Sequence, residues 1–327
     1  MKLAAISTIL AATAQATAWQ EMGIFIEKNF DWSNFDQEIE NAVNNGYNKI
    51  YVGFYMARYG CTAACTAWRD LQPTVQQNAL DFLNKNNAQL VLSVCGPGEF
   101  VEGDIRDGLT DSFATQSAQF AKDQGFHGID YSCSLGGSKT EPSLMASNGT
   151  YMDFMQTMIA GGKSAGYTAD KISVTAQAPY FSPDFVNSSM PEYSLSYLAL
   201  DANKNEQFYV GKINMNMLNE GINYLSYNDI FVQNTASNAE LGQWAKGSSV
   251  KEVASLGIDL GAISIVKSVS SAESSVQTGY VSPSTLGQWG CQANAEFGWN
   301  GGYLGWTWNI YDSYNTLNWP SLLGDCN

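Results

Sequence analysis

The densest grouping of side chains that could do chemistry lies in residues 125–135, which read G-F-H-G-I-D-Y-S-C-S-L. Side chains of an extended strand alternate between its two faces. Asp130, Ser132 and Ser134 therefore share one face, and Ile129, Tyr131 and Cys133 share the other. One carboxylate flanked by hydroxyls can hydrogen-bond a polar ligand or serve as an acid or base. It also fits a structural role, because a buried carboxylate needs partners before it can do anything else. His127 sits on the approach to this strip, as a catalyst or as a satisfied turn residue. Two other carboxylates fall near strand ends. Glu27 follows the first apolar run and is the best replacement acid; paired with Asp130 it could support a two-carboxylate hydrolysis, and paired with Lys28 it is a surface ion pair. Glu99, in the loop expected after the third strand, has a weaker claim.

The elements that must position these residues follow from period and punctuation. Apolar, β-branched and aromatic runs predict strands at 23–30, 49–57, 89–95, the 125–135 stretch itself, 172–178, 230–233, 261–266 and 302–310. Helical patterns fall between them, at 33–45 (with Ser33 as N-cap), 75–85, 113–124, 151–165, 238–256 and within 282–297, with a short helix near Trp319. The stretch 179–224 reads as an extended loop plus a helix. Eight strands alternating with helices predict an α/β fold, a single (β/α)8 TIM barrel, without a linker or internal repeat.

The first 18 residues carry one lysine, a short apolar core and small residues at A-x-A spacing, the pattern of a secretory signal peptide. Cleavage is expected after Ala18, with Ala16 as second choice, so the domain spans 19–327. The apolar run is too short to span a bilayer, and the protein is expected outside the cell or in a cell wall. Its formal net charge is -15 and only 14% of its residues are charged. Nucleic acid and anionic membranes need basic patches, so neither is an expected partner. Six cysteines in a secreted chain favour disulfides. The preferred bridges are Cys61–Cys65 and Cys291–Cys326. Cys95 and Cys133 remain, at the ends of neighbouring strands but on faces that do not match by alternation. With one histidine, no metal site is expected, and no cofactor. Asn148-Gly149-Thr150 and Asn187-Ser188-Ser189 are N-glycosylation sequons.

The 125–135 strand resembles the signature strand of the family 18 glycoside hydrolases, the chitinase family, whose pattern is D-x-x-D-x-D-x-E. On that pattern His127 takes the first Asp, Asp130 matches the second, Ser132 takes the third and Ser134 takes the Glu. Leu92-Ser93-Val94-Cys95-Gly96 resembles the family's S-x-G-G, with Cys95 for the first glycine. Residues 301–308, GGYLGWTW, are similar to the last strand G-G-x-x-x-W-S-W, which assigns the sugar-floor role to Trp306. Phe231-Val232-Gln233 resembles the family's V-Q-F-Y strand, matching at Gln233 and putting Thr235 where the tyrosine belongs.

The family's reaction is substrate-assisted: the sugar's own N-acetyl oxygen attacks while the Glu protonates the leaving oxygen. The neighbouring Asp and the Tyr hold the acetamide. Here those three positions are Ser134, Ser132 and Thr235, none of which can do that work. The resemblance thus implies a secreted, catalytically inactive chitinase-like protein. Its expected partner is a polysaccharide or cell-wall glycan, N-acetylglucosamine-rich or related. Trp306, Gln233, Tyr55 and Ser93, with Tyr59 and Tyr180, are the expected binding residues. Two alternatives stay open: an active glycoside hydrolase with Glu27 as relocated acid, and an extracellular structural component or a scaffold binding another protein as glycosidase inhibitors do.

Overall fold

The computed structural model describes residues 19–28, 30–101, 110–136, 148–186, 189–200, 206–218, 224–234, 246–272, 279–309 and 316–326. The expected signal peptide, Asn187 and Thr235 lie outside the described residues, as do the side chains of Glu99 and Ser134.

Eight parallel strands run β1 Glu21–Ile26, β2 Lys49–Met56, β3 Gln89–Val101, β4 Gly128–Gly136, β5 Ile172–Gln177, β6 Lys212–Asn216, β7 Ile263–Ser268 and β8 Gly302–Trp306. Each pairs with its neighbour in sequence, and β1 pairs with both β2 and β8. The sheet therefore closes into the expected (β/α)8 TIM barrel. A two-residue segment, Gly60–Cys61, folds back antiparallel on the end of β2.

Alternation along the strands sorts side chains into two cores. Ile24, Ile26, Ile50, Val52, Leu90 and Leu92 point outward and join the large core beneath the helices. Phe25, Tyr51, Val91, Val266 and Leu304 form a separate apolar cluster, on the other face of the same strands.

The sixth strand is not where the apolar runs place it. Ile230–Gln233 is a π-helical turn, Asn228–Val232, ending at Gln233, with Ile230 and Phe231 buried. The strand is Lys212–Asn216, inside the stretch that reads as loop and helix. Its alternation is real, with Ile213 and Met215 in the outer core, but the other face is Lys212, Asn214 and Asn216. A strand with a polar buried face gives little apolar signal, whereas a three-residue apolar run fits several structures.

The helices α1 Phe35–Asn44, α2 Ala63–Arg69, α3 Pro73–Lys85, α4 Thr110–Asp123 and α5 Thr150–Ser164 surround the first half of the barrel. A 3-10 turn, Trp32–Asn34, precedes α1 and is capped by Asp31, whose carboxylate accepts from the Ser33 N–H; Ser33 is not the cap. A four-residue helix α6, Pro183–Val186, then α7 Val250–Ala254, α8 Pro283–Phe297 and α9 Trp319–Leu323 complete the layer. Of the helix expected over 238–256, residues 238–245 lie outside the described residues.

All three expected disulfides are present: Cys61–Cys65, Cys95–Cys133 and Cys291–Cys326. The mismatch of faces at Cys95 and Cys133 is resolved by the backbone. Cys95 adopts φ +75°, outside the extended region, so alternation breaks there and both cysteines reach the outer core.

Candidate functional site

β4 carries Asp130 into the barrel, where it is fully buried. Four neighbours from three strands close around it. The hydroxyls of Ser173 (2.6 Å) and Thr175 (2.8 Å) donate to Oδ1. Ser93 on β3 donates to Oδ2 at 3.2 Å, and the Asn214 amide reaches Oδ1 at 3.4 Å. None of these partners is a cation. Burial pushes the carboxyl up to about 6; the three hydroxyls oppose that rise and the charge of Glu21 adds to it. Asp130 and Ser93 thus form one buried network at the barrel axis. Ser132, the next inward residue towards the mouth, is 9% exposed. The β4 backbone continues through Ser134 to Gly136.

His127 is at the other end of the strand. Its Nδ1 accepts from the Leu90 N–H at 3.1 Å, and Nε2 lies 3.1 Å from Asn84 Oδ1. Both ring nitrogens are therefore engaged outside the mouth, tying β3 and α3 to the start of β4. Burial holds its pKa below the ordinary histidine value, and the charge of Lys171 lowers it further.

Trp306 ends β8 on the inner face, half-buried, with ring centroids 5.1 Å from Phe25 and 6.2 Å from Phe54. It packs on the apolar cluster inside the barrel, at the C-terminal end of β8. Trp308, two residues on, is buried in the outer core and donates its indole N–H to Glu38 at 2.8 Å. Phe54 reaches Trp306 because Gly96 leaves room: a Cβ there would lie 2.8 Å from the Phe54 ring.

Three expected binding residues, Tyr55, Gln233 and Tyr180, are corrected, and a fourth, Ser93, is fully buried against Asp130. The pairing of β2 with β3 shifts between Gly53 and Tyr55. After that shift Phe54 faces the mouth, and Tyr55 turns to the helices, 4.7 Å from Phe120 and 6.1 Å from Phe113 of α4. Gln233 is off the barrel strands altogether; its N–H donates to Asn228 O and its carbonyl accepts from the Asn228 amide. Tyr180 is buried, edge-on to Tyr151 at 5.3 Å, whereas Tyr59 is exposed. Glu27 directly follows β1 at the mouth end, 14% exposed, with Lys28 Nζ 3.3 Å from its carboxylate. Asn148 is exposed beside α5, its side-chain oxygen accepting from the backbone and hydroxyl of Thr150.

The sequence reading missed a second buried charge centre. Glu21, at the start of β1, is fully buried. Lys49 and Lys212 lie 3.2 Å and 3.7 Å from its Oε2. The Tyr51 hydroxyl donates to Oε1, and Ser264 donates to Oε2 at 3.4 Å. Burial works to raise this carboxyl, but the two lysines and the Tyr51 hydrogen bond outweigh it and hold the pKa below the ordinary glutamate value. The available signal was a charged residue at the opening of each of three strands: Glu21, Lys49 and Lys212. Among the described residues no group of His, Cys, Asp and Glu is arranged to hold a metal ion, and no helix is long and apolar enough to cross a membrane.

No protein-family model matches the chain, and no curated protein sequence matches it. Its fold, however, is that of known structures. A GH18 chitinase from Pseudoalteromonas aurantia superposes with a TM-score of 0.64 at 12% identity, over 93% of this chain and 99% of that one. A family GH18 chitinase from Cycas revoluta, solved with allosamidin, gives 0.54 at 12% identity, over 93% and 98%. The xylanase and alpha-amylase inhibitor protein XAIP-II from Scadoxus multiflorus gives 0.52 at 16% identity, over 93% and 98%. The chitinase-like barrel is thus shared by enzymes and by an inhibitor of other glycosidases. At these identities the likeness is one of fold, and the site's own chemistry has to carry any functional argument.

Proposed function

We propose that the protein is a secreted, chitinase-like glycan-binding protein without hydrolytic activity, taking a polysaccharide at the C-terminal mouth of the barrel. The observation that carries this reading is the state of Asp130: the one carboxylate of the motif strand is buried and held by Ser93, Ser173 and Thr175. It is occupied as part of the barrel interior. The positions nearer the mouth, Ser132 and Ser134, are hydroxyls that cannot deliver a proton as a carboxylic acid does. General acid–base groups contribute roughly 10²–10⁴-fold each, so a strand lacking both the acid and its neighbour has no useful turnover. Trp306 keeps an apolar face suited to the C–H face of a sugar ring. The signal-peptide pattern of the first 18 residues and three disulfides support secretion, and Asn148, which is exposed, and Asn187 are the proposed glycosylation sites.

The test is pull-down of the purified mature protein on insoluble chitin, cellulose and β-glucan, with reducing-sugar release measured in the same tubes. Binding without release, weakened by Trp306→Ala, is the expected result. Sugar release that is lost in Glu27→Gln would overturn it in favour of a relocated acid. Neither binding nor release on any polymer would turn the search to protein partners.

A further inference from the structure

The helical wall carries a second cleft, of about 470 Å³, and none of its lining residues lies on a barrel strand. It opens between the turn that precedes α1 and the connection from α2 to α3. Its volume lies within the range of small-ligand sites, roughly 300–1,000 Å³. Trp32 forms one wall. This tryptophan is 56% exposed, whereas Trp19, Trp68, Trp299, Trp308 and Trp319 are fully buried. One side of its indole rests on Phe30, with ring centroids 4.8 Å apart, and Phe30 in turn packs edge-on against Phe35. The ring is therefore backed by the core while more than half of its surface faces water. Tryptophan is among the residues enriched at binding hot spots.

The remaining lining determines what kind of ligand fits. Asn34, Asp36, Asp70 and Gln72 place carboxylates and amides around the ring, and Ala67, Leu71 and Val75 add an apolar surface. No lining residue is basic, and the neighbouring Arg69 is committed to the Asp70 carboxylate, so the cleft does not favour a phosphate, sulfate or carboxylate. Asp36 supplies a carboxylate acceptor and the amides both donate and accept, whereas both oxygens of Asp70 already accept from the Arg69 guanidinium, at 2.7 and 3.1 Å, and keep only their remaining lone pairs for a ligand. An apolar ring face edged by hydroxyls meets all three surfaces at once: C–H groups on Trp32, hydroxyl donors on the carboxylates, further hydroxyls on the amides. The support is prearranged. Asp31 fixes the turn through Ser33 and Asn34, and its N–H donates to Glu38, which also receives the Trp308 indole.

We propose that this cleft is a second saccharide-binding site, for a neutral pyranose unit stacked on Trp32, separate from the mouth of the barrel. It extends the glycan-binding reading above but stands on residues that the mouth does not use. The experiment is calorimetric titration of the full mature protein with the tetramers of β-1,4-N-acetylglucosamine, cellulose and β-1,3-glucan, on wild type, Trp32→Ala, Trp32→Tyr, Trp306→Ala and the double alanine variant. Trp32→Ala should weaken binding of at least one tetramer roughly tenfold, and Trp32→Tyr should retain most of the affinity. Because Trp32 is mostly exposed, its melting temperature should match wild type, which separates lost binding from lost folding. Loss in Trp32→Ala alone supports the second site and removes the mouth; loss in both single variants supports both. Unchanged affinity in Trp32→Ala, with or without loss in Trp306→Ala, overturns the second site, as does failure of wild type to bind any of the three.

Discussion

Two carboxylates, Glu21 and Asp130, are both fully buried inside the same barrel, yet their environments drive them in opposite directions. Glu21 has two lysines beside it and is held below its ordinary pKa. Asp130 has hydroxyls and an amide and is pushed up to about 6. Burial penalises the charged form at both; a cation within reach decides the outcome. The two are linked as well. The Tyr51 hydroxyl donates to Glu21, the Asn214 amide lies 3.5 Å from that hydroxyl, and the same amide reaches Asp130 at 3.4 Å. The barrel thus holds an ion-pair centre formed by β1, β2 and β6 and a hydroxyl-caged centre formed by β3, β4, β5 and β6.

The sharpest break in that comparison is to remove the Glu21 charge. Glu21→Gln leaves Lys49 and Lys212, each less than one-fifth exposed, without their counter-charge. Breaking one side of a buried pair typically costs about 3–5 kcal/mol, and urea unfolding at pH 7 should show a loss of that order. Asp130→Asn should cost far less at the same pH, within about 1–2 kcal/mol, because its hydroxyl partners can rotate and no cation is orphaned. Equal losses in the two variants would show that cation pairing does not distinguish the centres.

The second prediction concerns pH, and its sign differs between the two. Asp130 has a folded pKa above its unfolded value of 3.8, so the folded state binds more protons between about pH 4 and 6. Stability from this group falls as pH rises through that window, by roughly 3 kcal/mol for a shift of about two units. Glu21 has a lowered pKa; its contribution is present above the unfolded value and lost as pH falls through the folded one. Subtracting the Asp130→Asn stability curve from wild type should give a difference that declines from pH 4 to pH 6. The same subtraction with Glu21→Gln should give a difference that rises with pH. A flat Asp130 difference would mean that the hydroxyl cage fully compensates burial.

How much of these centres could be read from sequence depends on which side of each strand carries the pattern. Seven of the eight strands overlap apolar runs, and Asp130 is legible as inward because Ile129 and Tyr131 take the opposite face; that Ser93 meets it, rather than a sugar, is set by the β3–β4 register. β6 was not legible: its inner face of Lys212, Asn214 and Asn216 leaves only Ile213 and Met215 as signal. Glu21 was missed for a related reason, since it precedes the apolar run and reads as a solvated flank. Tyr55 lies at a strand end, where a groove-lining side chain is expected, but the register shift after Gly53 turns it to the helices. In each case the residue's role is set by long-range pairing, which local periodicity does not encode.

The smallest expected effect lies within the hydroxyl cage. Ser173, at 2.6 Å, is the closest donor to Asp130 and Ser93, at 3.2 Å, is the longest of the three hydroxyl contacts. Each donor stabilises the charged carboxylate, so removing one should raise the Asp130 pKa further, with Ser173→Ala ahead of Ser93→Ala. The stability cost above pH 7 should be about 1 kcal/mol or less for each. Carboxyl carbon chemical shifts followed against pH in protein labelled at aspartate would report the titration directly. If Ser93→Ala moved the midpoint more than Ser173→Ala, the short β5 contacts would not be what holds Asp130. The weight of the cage would then shift to β3, the strand that also carries Cys95 to its bridge with β4.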